Sequence, residues 1–262
     1  MTSFTRKRRG GRAGARVVGA AIGVIGSFIT VALWVAWLRG RREHWRGTLS
    51  GTIPVNSAYW RELGSKPGEI LYAAIGDSAA QGIGASRPAH SYVGFLAREL
   101  RNRTSRAVRV ANLSISGGTV RTAIDIELPL LTALDAQPDI LTVCIGANDI
   151  ADFDADRFDS DIRELFAALP PHAIVADLPS FYFLPGEKKV LVANRLLRAA
   201  AAEVGLEVVG LHAITKRQGL WGVSTQFAGD LFHPNDRGYA LWARAFTPAV
   251  DRRLGEVLAQ LD

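Results

Sequence analysis

The sequence predicts an α/β protein of three layers, with a central, mostly parallel five-stranded sheet between helices, preceded by one apolar N-terminal span. Three observations predict it. Five short runs rich in Ile, Val and Leu (residues 69–75, 108–113, 139–145, 173–178 and 206–211) lack strict alternation, which suits strands covered on both faces. Stretches with apolar residues three or four apart lie between them, as amphipathic helices require. Ahead of both comes an uncharged 17–38 segment, VVGAAIGVIGSFITVALWVAWL.

From the N-terminus, residues 1–16 form a basic tail. Ten of the 31 Lys/Arg but one of the 25 acids fall within residues 1–46, so the net charge of +6 belongs to this end. The remainder is mildly acidic, which excludes a nucleic-acid partner as the reason for the charge and points to a membrane surface. Residues 17–38 are expected to form a transmembrane signal-anchor helix, roughly 33 Å long against a hydrocarbon core of about 30 Å. Trp34 and Trp37 lie near one end, where indole rings favour the interface. The larger positive excess precedes the run, so a cytoplasmic N-terminus and an extracytoplasmic remainder are expected. The alternative is a secreted protein released by signal cleavage, but the run is long for a signal peptide and offers no good cleavage site.

Residues 39–66 read as a linker with a short helix near 58–63, and residues 67–262 as the folded domain. Within it, helices are expected over 91–103, 156–169, 188–204 and 237–258, the last kinked or broken at Pro248. The lone cysteine, Cys144, excludes an intramolecular disulfide and sits in an apolar run, as a small core residue does. Asp152, Asp154 and Asp156 have the spacing that begins a calcium loop. The glycine and glutamate such a loop needs are Arg157 and Arg163 here, so the acids read as a helix N-terminus and no metal is expected.

Four segments fall just after strands or before the last helix, where open α/β sheets bind ligands. Ile75-Gly-Asp-Ser78 puts a hydroxyl in the turn beyond the first strand. Asn112-Leu-Ser-Ile-Ser-Gly117-Gly118-Thr119 offers backbone N–H groups to an oxyanion. Ile145-Gly-Ala-Asn148-Asp149 offers a side-chain amide. Asp230-Leu-Phe-His233-Pro234-Asn235 pairs an imidazole with a carboxylate three residues earlier, and Asn235 or Asp236 can cap the following helix. Singly, each also reads as an ordinary turn.

Together the blocks GDS, SISGGT, GAND and DLFHPN resemble the SGNH or GDSL hydrolase family, in the same order and spacing over about residues 68–258. Departures are Ala79 where leucine is usual and Gly118 after the second-block glycine. The resemblance implies a flavodoxin-like fold and a carboxylic ester hydrolase needing no cofactor. It implies Ser78 as nucleophile, His233 as base, Asp230 orienting the histidine, and an oxyanion hole from Ser78 N–H, Gly117 N–H and Asn148. Asp77 beside the nucleophile reads as structural, and His90 as a residue that could line the cleft. Substrates would be acyl or acetyl esters of a lipid or sugar. Two alternatives use the same residues: O-acyl transfer to a cell-envelope polymer, and a binding module without turnover. The sequence leaves oligomeric state open.

Overall fold

The computed structural model describes residues 36–37, 40–41, 43–182 and 185–261. Five strands, β1 (Ile70–Gly76), β2 (Val108–Asn112), β3 (Ile140–Cys144), β4 (Ile174–Ala176) and β5 (Glu207–Val209), form one sheet. Their order is β2-β1-β3-β4-β5 and every pairing is parallel. The five strands coincide with the five apolar runs. Strand β1 is buried along its whole length, and its residues alternate between two cores. Ile70, Tyr72 and Ala74 join one core, and Leu71, Ala73 and Ile75 the other.

The first core is closed by helices α1 (Ile53–Gly64), α3 (Tyr92–Thr104) and α10 (Asp236–Leu261), through Trp60, Leu96, Tyr239, Trp242 and Phe246. The second is closed by α6 (Ala155–Ala167) and α7 (Glu187–Val204), through Phe158, Ile162, Val190 and Leu197. Between α1 and α3 lies the single turn α2 (Ser78–Gln81). After β2 run α4 (Val120–Thr122), a wide π turn (Ala123–Glu127) and α5 (Leu128–Thr132). Two short helices, α8 (Leu211–Lys216) and α9 (Gly219–Thr225), precede α10. The chain winds from β1 outward to β2, then crosses to β3 on the other side. Loops after β1 and β3 therefore diverge and leave a crevice at their carboxyl ends.

Three expectations need amendment. The sheet is wholly parallel rather than mostly so. The 39–66 stretch, expected as a linker, contains the twelve-residue helix α1, with Pro54 in its first turn and Trp60 buried in the core. Trp60 Nε1–H and the Asn56 side-chain amide both donate to Gln81 O, at 3.0 and 2.9 Å, so α1 is part of the domain. Helix α10 runs through Pro248 unbroken. Buried Phe246, Ala249, Val250 and Leu254 hold it to the sheet on both sides of the proline, which itself faces solvent.

The expected apolar span at 17–38 lies, apart from residues 36 and 37, outside the described residues. Among those described, no helix is long and apolar enough to cross a membrane. The 152–156 acids behave as a helix start: Asp154 caps α6 by accepting from Arg157 N–H at 2.9 Å, and Asp156 sits in its first turn.

Candidate active site

Strand β1 ends at Gly76, which must be glycine because a Cβ there would stand 2.7 Å from Cys144 O on the neighbouring strand. The chain then turns at Asp77, whose carboxylate accepts from Ala79 N–H at 2.8 Å and so caps the turn α2. Ser78 opens that turn. Its own N–H is one of the orphan donors every helix start leaves. Asp77 is thus structural, as expected. Burial pushes its carboxyl up to about 6.

The histidine arrives from the opposite side of the chain. The loop 226–235 is braced by Ala228 N–H donating to His233 O at 2.8 Å and by Asn235 Nδ2 donating to Thr225 O and Phe227 O, at 2.9 and 3.0 Å. Asn235 also caps α10, accepting from Arg237 and Gly238 N–H. Gly84 lets this loop approach, because a Cβ at its φ of +94° would stand 2.5 Å from Pro234 O and 2.8 Å from His233 Cβ.

The result is a continuous hydrogen-bonded relay. His233 Nε2 lies 3.0 Å from Ser78 Oγ, and His233 Nδ1 lies 2.6 Å from Asp230 Oδ2. Asp230 is buried, and its other oxygen accepts from the Phe232 and His233 N–H groups, each at 3.1 Å. Burial pushes its carboxyl up. Hydrogen bonds and charge from His233, with those two backbone donors, outweigh burial and hold it below the ordinary value.

The second and third blocks join the same site. In the turn after β2, Gly118 N–H donates to Ile115 O at 2.9 Å, which leaves Gly117, exposed at φ +81°, with the N–H not used by the turn. Asn148 Nδ2 donates to Gly118 O at 2.8 Å and reaches Asp77 Oδ2 at 3.4 Å. Ile115 N–H donates to Gly76 O at 3.1 Å, and Gln81 Nε2 to Ser114 O at 2.5 Å. All four sequence blocks therefore converge.

Three other side chains find their places. His90 does not line the cleft: its Nδ1 lies 2.7 Å from Asp236 Oδ2, and its ring stacks on Phe95. Cys144 is buried and reduced, with its thiol pushed up by burial, as an inert core cysteine requires. Glu127 gave no sequence signal. It is fully buried, and its Oε2 accepts Gly76 N–H at 2.8 Å.

Beside Ser78 opens a cavity of about 350 Å³ walled by apolar groups, among them Ile145, Leu178, Phe181, Phe227, Phe232 and Trp242. Among the described residues no cluster of three His, Cys, Asp or Glu side chains could hold a metal ion.

The model of the GDSL-like lipase/acylhydrolase family matches residues 74–241. The chain belongs to that family. Its enzyme class is that of a carboxylic ester hydrolase. No curated protein matches it. Among solved structures, it is similar to LAE5, an alpha/beta hydrolase enzyme from the metagenome of Lake Arreo, Spain. Identity is 23%, with a TM-score of 0.57 over 71% of this chain and 97% of that one. A member of the lipolytic G-D-S-L family from Veillonella parvula is 22% identical, with a TM-score of 0.57 over 68% and 97%. Axe2, an acetylxylan esterase from Geobacillus stearothermophilus, is 22% identical, with a TM-score of 0.53 over 70% and 94%. At these identities the structural likeness establishes the GDSL-type fold, and the family match carries the enzyme class.

Proposed function

We propose that the protein hydrolyses carboxylic esters through an acyl-enzyme on Ser78. The observation that carries this reading is the relay in which one imidazole bridges the Ser78 hydroxyl and the Asp230 carboxylate. A serine hydroxyl is a poor nucleophile until an adjacent base takes its proton. With Nδ1–H donated to Asp230, His233 Nε2 is the free base that accepts the Ser78 proton as Oγ attacks the carbonyl. His233 then returns that proton to the departing alkoxide, and the acyl group stays on Ser78. Water, losing a proton to the same imidazole, then attacks the acyl carbonyl; the Ser78 Oγ–acyl bond breaks, Oγ takes the proton back from His233, and the acid leaves.

The negative charge on the carbonyl oxygen falls to three donors: the Ser78 N–H, the Gly117 N–H and the Asn148 amide. In the free enzyme the Asn148 amide donates to Gly118 O at 2.8 Å and, over a long 3.4 Å, to Asp77 Oδ2; the second, weaker bond is the one exchanged for the oxyanion.

The apolar cavity beside Ser78 favours a hydrocarbon acyl chain over acetyl, since an acetyl group leaves most of that surface unfilled. Helix α9 agrees: Val223 lines the cavity, while Leu220 and Trp221 of the same helix are exposed. An N-terminal tail inside the cell, an anchor over residues 17–38 and an extracytoplasmic domain fit the charge bias of the sequence and would bring the site close to lipid esters.

The decisive experiment is fluorophosphonate labelling and p-nitrophenyl ester turnover by wild type and Ser78→Ala, with chains from acetyl to dodecanoyl. Labelling and turnover should both vanish in Ser78→Ala, and kcat/KM should peak beyond acetyl. Normal turnover by Ser78→Ala would falsify the mechanism. Transfer of acyl groups to an added sugar in preference to water would replace hydrolysis by acyl transfer.

A further inference from the structure

Residues 125–127 invert the usual rule for a helix surface. Ile126 is 46% exposed, while the neighbouring Glu127 is 0% exposed. The cause is the π turn Ala123–Glu127, whose extra residue rotates the helix and swings the glutamate inward. Burying a carboxyl in place of an available isoleucine is unfavourable, and such local conflicts concentrate at functional sites.

What Glu127 touches shows its use. Oε2 accepts the Gly76 N–H at 2.8 Å, one residue before Asp77 and two before Ser78. The Ile115 N–H, in the turn that presents Gly117, donates to the carbonyl oxygen of the same Gly76, so the glutamate and the turn grip one peptide residue from its two sides. Oε1 is buried without a hydrogen-bond partner, and a Cβ built on Gly118 would stand 3.4 Å from it. One side chain thus spans the nucleophile turn and the oxyanion loop.

We propose that Glu127 is a positioning residue that sets the Ser78 turn and the Gly117–Gly118 loop at the separation the oxyanion requires. It touches no substrate and acts through the Gly76 N–H and its packing against Gly118. Resting on the Ser78 reading, the proposal adds a group that the four sequence blocks do not include.

The surroundings of Glu127 favour the neutral carboxyl. The titratable groups facing it are Asp77 and Tyr92, and no cationic group is among the causes that set its charge state. Burial first, and then the Asp77 charge, push it up to about 8. Ionisation above that pH places a second anion beside Asp77, behind the turn that carries Ser78, which opposes the negative charge developing in the transition state.

The test is the kcat/KM profile of the full chain between pH 6 and pH 10 for wild type, Glu127→Gln and Glu127→Ala, with fluorophosphonate labelling rates and far-UV spectra alongside. Glutamine keeps the acceptor for Gly76 and cannot ionise. It should retain kcat at pH 7 within roughly threefold and lose the decline expected of wild type above about pH 8. Alanine should lower kcat and labelling by about 10²-fold with KM little changed. A Glu127→Gln profile superimposing on wild type, or a folded Glu127→Ala with wild-type kcat, overturns the proposal. If alanine does not fold, the glutamine profile decides alone. Failure of the Ser78 reading is separate, because it would appear as turnover by Ser78→Ala whatever Glu127 does.

Discussion

At the scale of single residues, Asn148 belongs to two networks. Its amide donates to Gly118 O and approaches Asp77, and the proposed chemistry also aims it at the substrate oxyanion. In the proposed mechanism its loss removes one of three donors that gain strength only in the transition state. Asn148→Ala should therefore lower kcat by about 10²–10³ and leave KM nearly unchanged, as steady-state kinetics on a p-nitrophenyl ester will report. An equal rise in KM with constant kcat would remove it from the oxyanion site. Asn148 was legible in the sequence because an asparagine after a strand stands in a recurrent block. Glu127 was not, because a glutamate in a helix-like stretch reads as solvated surface until the π turn is seen. His90 gave the opposite lesson: an imidazole near the nucleophile in sequence is held by Asp236, 146 residues away, and not by the cleft.

Among elements, α1 shows what local pattern reading misses. Its sequence, IPVNSAYWRELG, has a weak apolar stripe, and only its two contacts with Gln81 O reveal that it clamps the turn carrying Ser78. Trp60→Ala removes a fully buried indole and its hydrogen bond, and leaves a cavity. The expected loss is about 3–5 kcal/mol in urea unfolding. A change below about 1 kcal/mol would mean that α1 docks without bearing on stability. Helix α10 gives the reverse case. Pro248 costs a helix interior about 3 kcal/mol relative to alanine, and its lost flexibility in the unfolded chain returns about 0.4–1. Because Pro248 is exposed, alanine sacrifices little packing. Pro248→Ala should raise the unfolding free energy by about 2 kcal/mol, and a lowered Tm would show that α10 has adapted its geometry to the proline.

Across the whole molecule, buried acids set the pH response. A carboxyl whose pKa rises on folding keeps its proton where the unfolded chain has released it. Stability then falls as pH climbs from the ordinary value to the raised one. For Glu127 that window runs from 4.5 to about 8, and for Asp77 from 3.8 to about 6. Asp230 is shifted down, so its contribution is complete above its ordinary value and fades as the solution is acidified below it. Urea midpoints should decline between pH 5 and pH 8, and the slope should flatten in Glu127→Gln. An unchanged slope would place the proton uptake elsewhere.

The sequence by itself determined the five strands, the principal helices, the four site blocks and the family, because hydrophobic periodicity and turn chemistry are local and written in consecutive residues. It did not reveal the docking of α1, the continuity of α10 or the burial of Glu127. Those depend on which surfaces meet. An inward glutamate or an uninterrupted proline helix is stable only because residues far along the chain close around it. The meeting of Ser78 with His233 across 155 positions is likewise a property of the folded sheet. Order and spacing announced the partners, but the crevice between β1 and β3 alone brings them within a hydrogen bond.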